Sequence, residues 1–223
     1  MNNRTSKELR VGLLGLGVVG SGVASYLLRY VDSIERQFGT RVLIKKILVR
    51  DKSKTREEII PDSLLTTNPE EILRSRELDI IVEVIGGDQP AATYLSDALI
   101  SGKHVVTANK EVMAKFGSDL LALAKRNNVR LLFEASVGGA IPIIGNLSND
   151  LIANKVSSIR GIINGTSNYI LTRMSEDHAE FGIALKEAQQ QGYAETDPTN
   201  DIEGTDAVYK LSIMSSLAFH TVV

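Results

Sequence analysis

Two stretches of this sequence place residue types at spacings that could do chemistry. The first is Gly15-Leu16-Gly17-Val18-Val19-Gly20. In a G-x-G-x-x-G run the first glycine permits a tight turn, the second lets a pyrophosphate approach the backbone, and the third lets a helix pack on the preceding strand. Val18 and Val19 then fall in the first helical turn, whose unpaired N–H groups attract an anion. The second stretch, Glu195 to Lys210, sets five carboxylates (Glu195, Asp197, Asp201, Glu203 and Asp206) ahead of one lysine within sixteen positions. On a helix Asp206 and Lys210 share a face, with acid N-terminal to base. Ala207, Leu211, Met214 and Leu217 or Ala218 give that helix an apolar stripe beside the pair, and partial burial would make Lys210 a candidate proton donor. Spacing alone fits an ordinary surface ion pair as well.

Two smaller groups bear on ligands. Where a dinucleotide-binding unit selective for NAD commonly has an acidic residue, at the end of its second strand, Arg50 comes first and Asp51, Lys52 and Lys54 follow. Arginine and lysine favour a 2′-phosphate and hence NADP, Asp51 could serve NAD, and a solvated charged loop would look the same. Thr107-Ala108-Asn109-Lys110 falls at the carboxyl end of another predicted strand, the edge where open α/β sheets bind ligands, which makes Thr107 a candidate cofactor contact. Lys110 there is a candidate active-site cation or an exposed lysine in a first helical turn.

Composition narrows the chemistry. The chain has 223 residues, 43% of them hydrophobic, and a formal charge of -2. That charge gives no broad positive field for nucleic acid. No apolar run reaches the length of a membrane span, and Met1 to Arg10 lacks the apolar core of a signal peptide, so the expected location is the cytoplasm. With no cysteine, disulfides, thiolate metal sites and thioester intermediates are excluded. The three histidines, His104, His178 and His220, show no helix-spaced pair that would start a zinc site.

The elements that must position these groups follow from periodicity. From Leu9 the sequence reads strand, glycine turn, then helix through Leu28; Val42 to Val49, Asp79 to Ile85, His104 to Thr107 and Val129 to Phe133 read as further strands. Helical patterns occupy Pro90 to Ser101 and Lys110 to Asn127. This alternation predicts an α/β domain, a Rossmann-type parallel sheet, over residues 1–135. Residues 136–223 read as an α+β unit: an apolar stretch from Ile141 to Leu151 that could be helix, an alternating strand from Val156 to Ile163, and helices at Ala179 to Gln191 and Glu203 to Ala218. The sequence contains no internal repeat or low-complexity linker.

Taken together, GLGVVG at 15–20, VVTANK at 105–110, FEASVGGAIPII at 133–144, NGTSNYIL at 164–171 and GYAETDPTNDIEGTDAVYKL at 192–211 resemble homoserine dehydrogenase across nearly the whole chain. The resemblance implies interconversion of L-aspartate 4-semialdehyde and L-homoserine with NADP or NAD, a step toward threonine, methionine and isoleucine, in a homodimer. Lys210 matches the family's proton donor and Asp206 the carboxylate beside it. Glu195 matches the acid that receives the substrate's amino group, and Asp201 an additional acid of the substrate region. Lys110 matches a lysine near cofactor and substrate, and Gly192 a glycine close to the bound ligands. Glu134, with the backbone carbonyls of Val137, Gly139 and Ile141, matches a monovalent-cation site that would hold sodium.

Family members continue past the position matching Val223, so the resemblance also implies a substrate-binding and dimerisation domain that is incomplete at its C-terminus. A cofactor-binding or interaction fragment without catalytic activity of its own is the alternative. An aldehyde-oxidising enzyme working through a thioester is excluded by the missing cysteine.

Overall fold

Four successive residues, Val11 to Leu14, are buried at the end of the first strand. Burial without alternation marks a strand covered on both faces, as inside a parallel sheet flanked by helices. In the computed structural model, which describes residues 7–57, 59–221 and 223, that is the arrangement found. Residues 1–6, most of the segment read above for a signal peptide, lie outside the described residues. The chain divides into two compact units, Met1–Ala135 and Ser136–Val223.

The first unit runs β1 (Lys7–Leu14), α1 (Val18–Arg29), α2 (Val31–Phe38), β2 (Thr40–Leu48), β3 (Leu65–Thr66), α3 (Glu70–Leu73), β4 (Ile80–Glu83), α4 (Ala91–Ile100), β5 (His104–Thr107), α5 (Lys110–Arg126) and β6 (Leu131–Leu132). Its strands form one six-stranded sheet in the order β3-β2-β1-β4-β5-β6, paired in parallel throughout. This is the Rossmann order, and its direction reverses between β1 and β4, where a crevice opens at the carboxyl ends of the strands. Leu13, Ala24, Ile44, Ile47 and Leu65 make the core on one flank. On α4, Ala91, Ala92, Leu95, Ala98 and Leu99 are buried, the three- and four-residue spacing that brings one helix face onto the sheet.

Strand bounds depart from periodicity where pairing decides them. β2 begins at Thr40, because Gly39 ends α2 in the left-handed conformation and the register with β1 starts at Lys7 opposite Thr40. The predicted strand Val129 to Phe133 narrows to Leu131–Leu132, the only two residues opposite β5. The two-residue edge strand β3 carries too short a pattern to be legible in sequence.

The second unit has a single π-helical turn at Asn146–Asp150, then α6 (Gly165–Glu176), α7 (Phe181–Gln190), α8 (Thr199–Ile202) and α9 (Thr205–Phe219). Ile170, Ala184, Ala188 and Ala194 form its small core, beside stacked rings of Tyr169 and Tyr193 at 4.8 Å. Arg173 of α6 reaches Glu187 of α7 at 2.9 Å. The segment Val156 to Ile163, expected as a strand, is irregular backbone, and Ile162 is 76% exposed. Alternation alone does not make a strand: the described residues of this unit include no second strand to share a ladder with it. The apolar stretch from Ile141 yields one π turn in place of a longer helix. No helix among the described residues is long and apolar enough to cross a membrane.

Candidate cofactor and substrate sites

In the first unit the glycine run lies between β1 and α1. Gly15 has φ +102°, and a Cβ there would come within 2.9 Å of the Val84 carbonyl. A Cβ on Gly20 would lie 2.3 Å from the Gly15 carbonyl, so only glycine lets α1 approach the strand turn this closely. Gly17 differs: nothing lies within 4 Å of its would-be Cβ. No packing demand inside the unit therefore explains Gly17, and the open space fits an approaching pyrophosphate. Gly17 is also the N-cap of α1 with no side-chain cap, and Val18 is 95% exposed, so the first turn presents bare N–H groups to that space.

A cavity of about 520 Å³ opens there, at the β1/β4 switch point. Gly15 and Gly17 form its floor, Arg50, Asp51, Lys54 and Arg56 line the β2 side, and Val84, Ile85 and Tyr94 the β4 side. The Asp51 carboxylate accepts from Ser53 N at 2.8 Å and Ser53 Oγ at 2.7 Å, which lowers its pKa below the usual carboxylate range. Arg56, which sequence reasoning passed over, donates to the Lys52, Lys54 and Asp51 carbonyls and so shapes the loop. Three cations thus share the cavity with one acid already turned to its own loop. A larger cavity, about 790 Å³, lies at the opposite sheet edge around Lys7, Asp79 and His104. Those residues sit at the amino ends of strands, where open parallel sheets do not place their ligands.

At the carboxyl ends of β4 and β5 a buried polar network appears that sequence reasoning missed. Glu83 is fully buried. Its Oε2 accepts from Thr107 Oγ1 at 2.6 Å and its Oε1 from Ile85 N at 2.7 Å, with Asn109 Nδ2 at 3.4 Å. Asn109 also donates to the Gly87 carbonyl at 2.7 Å and caps α5 through Val112 N at 3.1 Å. The Thr107 hydroxyl, a predicted cofactor contact, is therefore committed to Glu83, and Thr107 is 1% exposed. Lys110 follows as the first residue of α5, half-buried. The signal available in sequence was a carboxylate inside the apolar strand DIIVEVI, since a buried charge needs partners.

In the second unit the structure brings Asp201, Asp206 and Lys210 together. Lys210 Nζ donates to Asp206 Oδ2 at 2.6 Å and to the Ile163 carbonyl at 2.8 Å. The side chains are 20% and 6% exposed, so this is not a solvated surface pair. Asn164 Nδ2 bridges Asp201 Oδ1 at 2.7 Å and Asp206 Oδ2 at 2.9 Å, while its Oδ1 caps α6 through Ser167 N at 2.7 Å. Leu211, counted in the expected apolar stripe, is 49% exposed; the pair is covered instead from the Ile163-Asn164 segment. Asn164 was legible as a helix cap before Gly-Thr-Ser, but its bridging amide depends on residues 37 and 42 positions away.

The remaining predicted positions lie on turns and helix ends. Glu195 is exposed, and among the described residues only its backbone carbonyl is engaged, by Gln189 at 3.2 Å. Gly192 ends α7 with φ +78° and open space around it. Asp197 accepts from Thr199 N and Oγ1 at the start of α8, which lowers its pKa. Glu134 closes the first unit in a 3-10 turn. In the second, Val137 is buried, while Gly139 and Ile141 are exposed on a turn where Gly138 and Ala140 have φ +60° and +67°. No group of three or more His, Cys, Asp or Glu that could hold a metal occurs among the described residues.

A Rossmann sheet with an uncapped glycine-rich turn at its switch point, joined to a helical unit carrying a covered Asp-Lys pair, defines a dinucleotide-binding α/β protein. Comparison with known proteins gives the family. Residues 15–134 match the model "Homoserine dehydrogenase, NAD binding domain", and residues 142–223 the model "Homoserine dehydrogenase". This chain belongs to the homoserine dehydrogenase family, and its first unit contains that family's nicotinamide-dinucleotide-binding domain. A homoserine dehydrogenase of Bacillus subtilis (strain 168) is 48% identical over 213 residues, 96% of this chain and 49% of the relative. The crystal structure of a homoserine dehydrogenase from Thiobacillus denitrificans matches with a TM-score of 0.88 at 47% identity, covering 96% of this chain and 49% of that one. A hyperthermophilic archaeal homoserine dehydrogenase in complex with NADPH matches with a TM-score of 0.82 at 28% identity, covering 96% of this chain and 71% of that one. The chain spans about half the length of the curated relatives it matches.

Proposed function

We propose that this chain carries the cofactor-binding and acid–base machinery of an NADP-dependent homoserine dehydrogenase, interconverting L-aspartate 4-semialdehyde and L-homoserine in the pathway to threonine, methionine and isoleucine. The observation that carries the reading is the setting of Lys210. An ammonium has three N–H bonds, and Asp206 and the Ile163 carbonyl take two. Among the described residues no other group takes the third, and in this reading it goes to a substrate oxygen.

When bound, the reduced nicotinamide supplies a hydride to the aldehyde carbon. Negative charge then grows on the aldehyde oxygen, where Lys210 stabilises it and delivers the proton that completes the alcohol. In the oxidising direction Lys210 takes the hydroxyl proton. Asp206 orients Lys210, and Asn164 holds Asp206 and Asp201 in place. Glu195, exposed and with its carboxylate uncommitted among the described residues, receives the substrate's amino group, and Lys110 and Gly192 serve the bound ligands.

Preference for NADP is supported by Arg50, Lys54 and Arg56 in one cavity with an Asp51 already engaged by Ser53. Thr107 would meet the cofactor through its backbone. Sodium at the Glu134, Val137, Gly139 and Ile141 positions belongs to the same reading, supported by the left-handed turns at Gly138 and Ala140 that re-aim successive carbonyls. So do a cytoplasmic location and a homodimer.

The test is a steady-state assay of the 223-residue chain with L-homoserine and each nicotinamide cofactor. Turnover with NADP⁺ is expected, and Lys210→Ala should lower kcat at least about a hundredfold, the scale of losing a general acid. Unchanged turnover in that variant removes Lys210 from the role. Cofactor binding without any turnover leaves only the cofactor-binding reading.

A further inference from the structure

We infer that Glu83 is a positioning residue for the nicotinamide half of the cofactor, an inference that rests on the cofactor reading above. A fully buried carboxylate at the end of a core strand is costly unless its oxygens are engaged by donors. Here each donor comes from a segment bordering the carboxyl-end crevice. Ile85 N belongs to the loop that follows β4, the Thr107 hydroxyl ends β5, and the more distant Asn109 amide begins α5. The Asn109 backbone N–H donates to Thr107 Oγ1 at 3.0 Å, so that oxygen is already an acceptor and its own proton points to Glu83.

The loop held in this way needs holding. Gly86 and Gly87 have φ +80° and +71°, and a glycine pair in the left-handed region has many alternative conformations. Glu83 fixes the Ile85 peptide just before the pair, and Asn109 fixes the Gly87 carbonyl at its end. Val84 and Ile85 line the cavity on the β4 side, across the switch point from Arg50 and Asp51. A dinucleotide lying over this crevice puts its adenosine half toward β2 and its pyrophosphate on the α1 turn, so its other half faces the Val84–Gly87 loop. Glu83 therefore acts on that half through the backbone, without touching it, and through Asn109 it also sets the turn that delivers Lys110.

The two halves of the cofactor make this testable by titration calorimetry, apart from turnover. In Glu83→Gln, NADPH should bind about tenfold more weakly, the scale of losing one hydrogen bond to a charged group. Binding of 2′-phospho-ADP-ribose, which keeps the adenosine half and pyrophosphate but lacks nicotinamide, should hold. Hydrogen exchange at the Ile85 amide should speed up. Thr107→Val removes the hydroxyl that Glu83 accepts and should repeat the NADPH-selective loss, and Thr107→Ser should recover most of it; this pair decides the matter if Glu83→Gln does not fold. Equal weakening of both ligands would make Glu83 merely structural, and unchanged NADPH binding would remove its role; either overturns the inference. A parent chain that binds neither ligand refutes the cofactor reading itself, and this inference with it.

Discussion

At the scale of single residues, the candidate active groups are held by neighbouring side chains with no proposed part in the chemistry. Asn164 is the clearest case, because one amide caps α6 and donates to both Asp201 and Asp206. Asn164→Ala should lose about 1 kcal/mol from the helix cap and leave Asp206 short of a donor. The expected result is a lower urea midpoint together with a fall in kcat for homoserine oxidation. Asn164→Asp keeps a capping oxygen but places a third carboxylate against two others; stability near the parent's with kcat still reduced would separate the bridging role from the cap. At the other site, Arg50→Ala should weaken NADPH while sparing NADH, measured by calorimetry, because only the 2′-phosphate distinguishes the two ligands. Equal losses for both would assign Arg50 to general charge.

At the scale of elements, the close contact of α1 with β1 is what makes the cofactor turn possible. Gly20→Ala would put a methyl group 2.3 Å from the Gly15 carbonyl, a backbone atom that cannot rotate away. The cost should be on the order of 1–3 kcal/mol with loss of NADPH binding, read by thermal unfolding and calorimetry. An alanine at Gly17 meets nothing within the unit, so there the loss should be of binding without loss of stability. Glycine spacing made the element legible in sequence and already assigned the second glycine to ligand and the third to packing; the tightness of that packing depends on Val84 and Gly15 atoms brought close by the sheet. The failed strand at Val156 to Ile163 teaches the converse, because its period was right and no partner strand lies among the described residues of its unit.

At the scale of the whole molecule, the first unit contains every strand of its sheet and the whole switch-point cavity within Met1–Ala135. A fragment ending at Ala135 should therefore fold and bind NADPH with an affinity comparable to the full chain, and failure to bind would mean that the second unit supplies an essential contact. Charge adds a pH dependence. Asp51, Glu71, Asp88 and Asp197 all have pKa values lowered, mainly by hydrogen bonds from Ser53, Lys46, Lys115 and Thr199 respectively. A depressed carboxylate contributes stability above its unfolded pKa and loses it as pH falls through the folded value. Urea midpoints should hold near neutrality and decline below about pH 4. The decline should be gentle, because these groups are exposed and screened by solvent.

Sequence by itself determined the α/β order of the first unit, the cofactor turn and the Asp206–Lys210 spacing. Each depends on local periodicity or on residues a few positions apart, and the chain carries such information directly. Only the tertiary structure decided that the Asp-Lys pair is covered, that Asn164 binds it to Asp201, and that Glu83 ties β4 to β5. Those contacts join residues 24 to 47 positions apart, which come together when hydrophobic burial closes each unit. The glycine run thus announced a cofactor turn in advance, whereas the partners of Glu83, Asp206 and Lys210 were selected by packing.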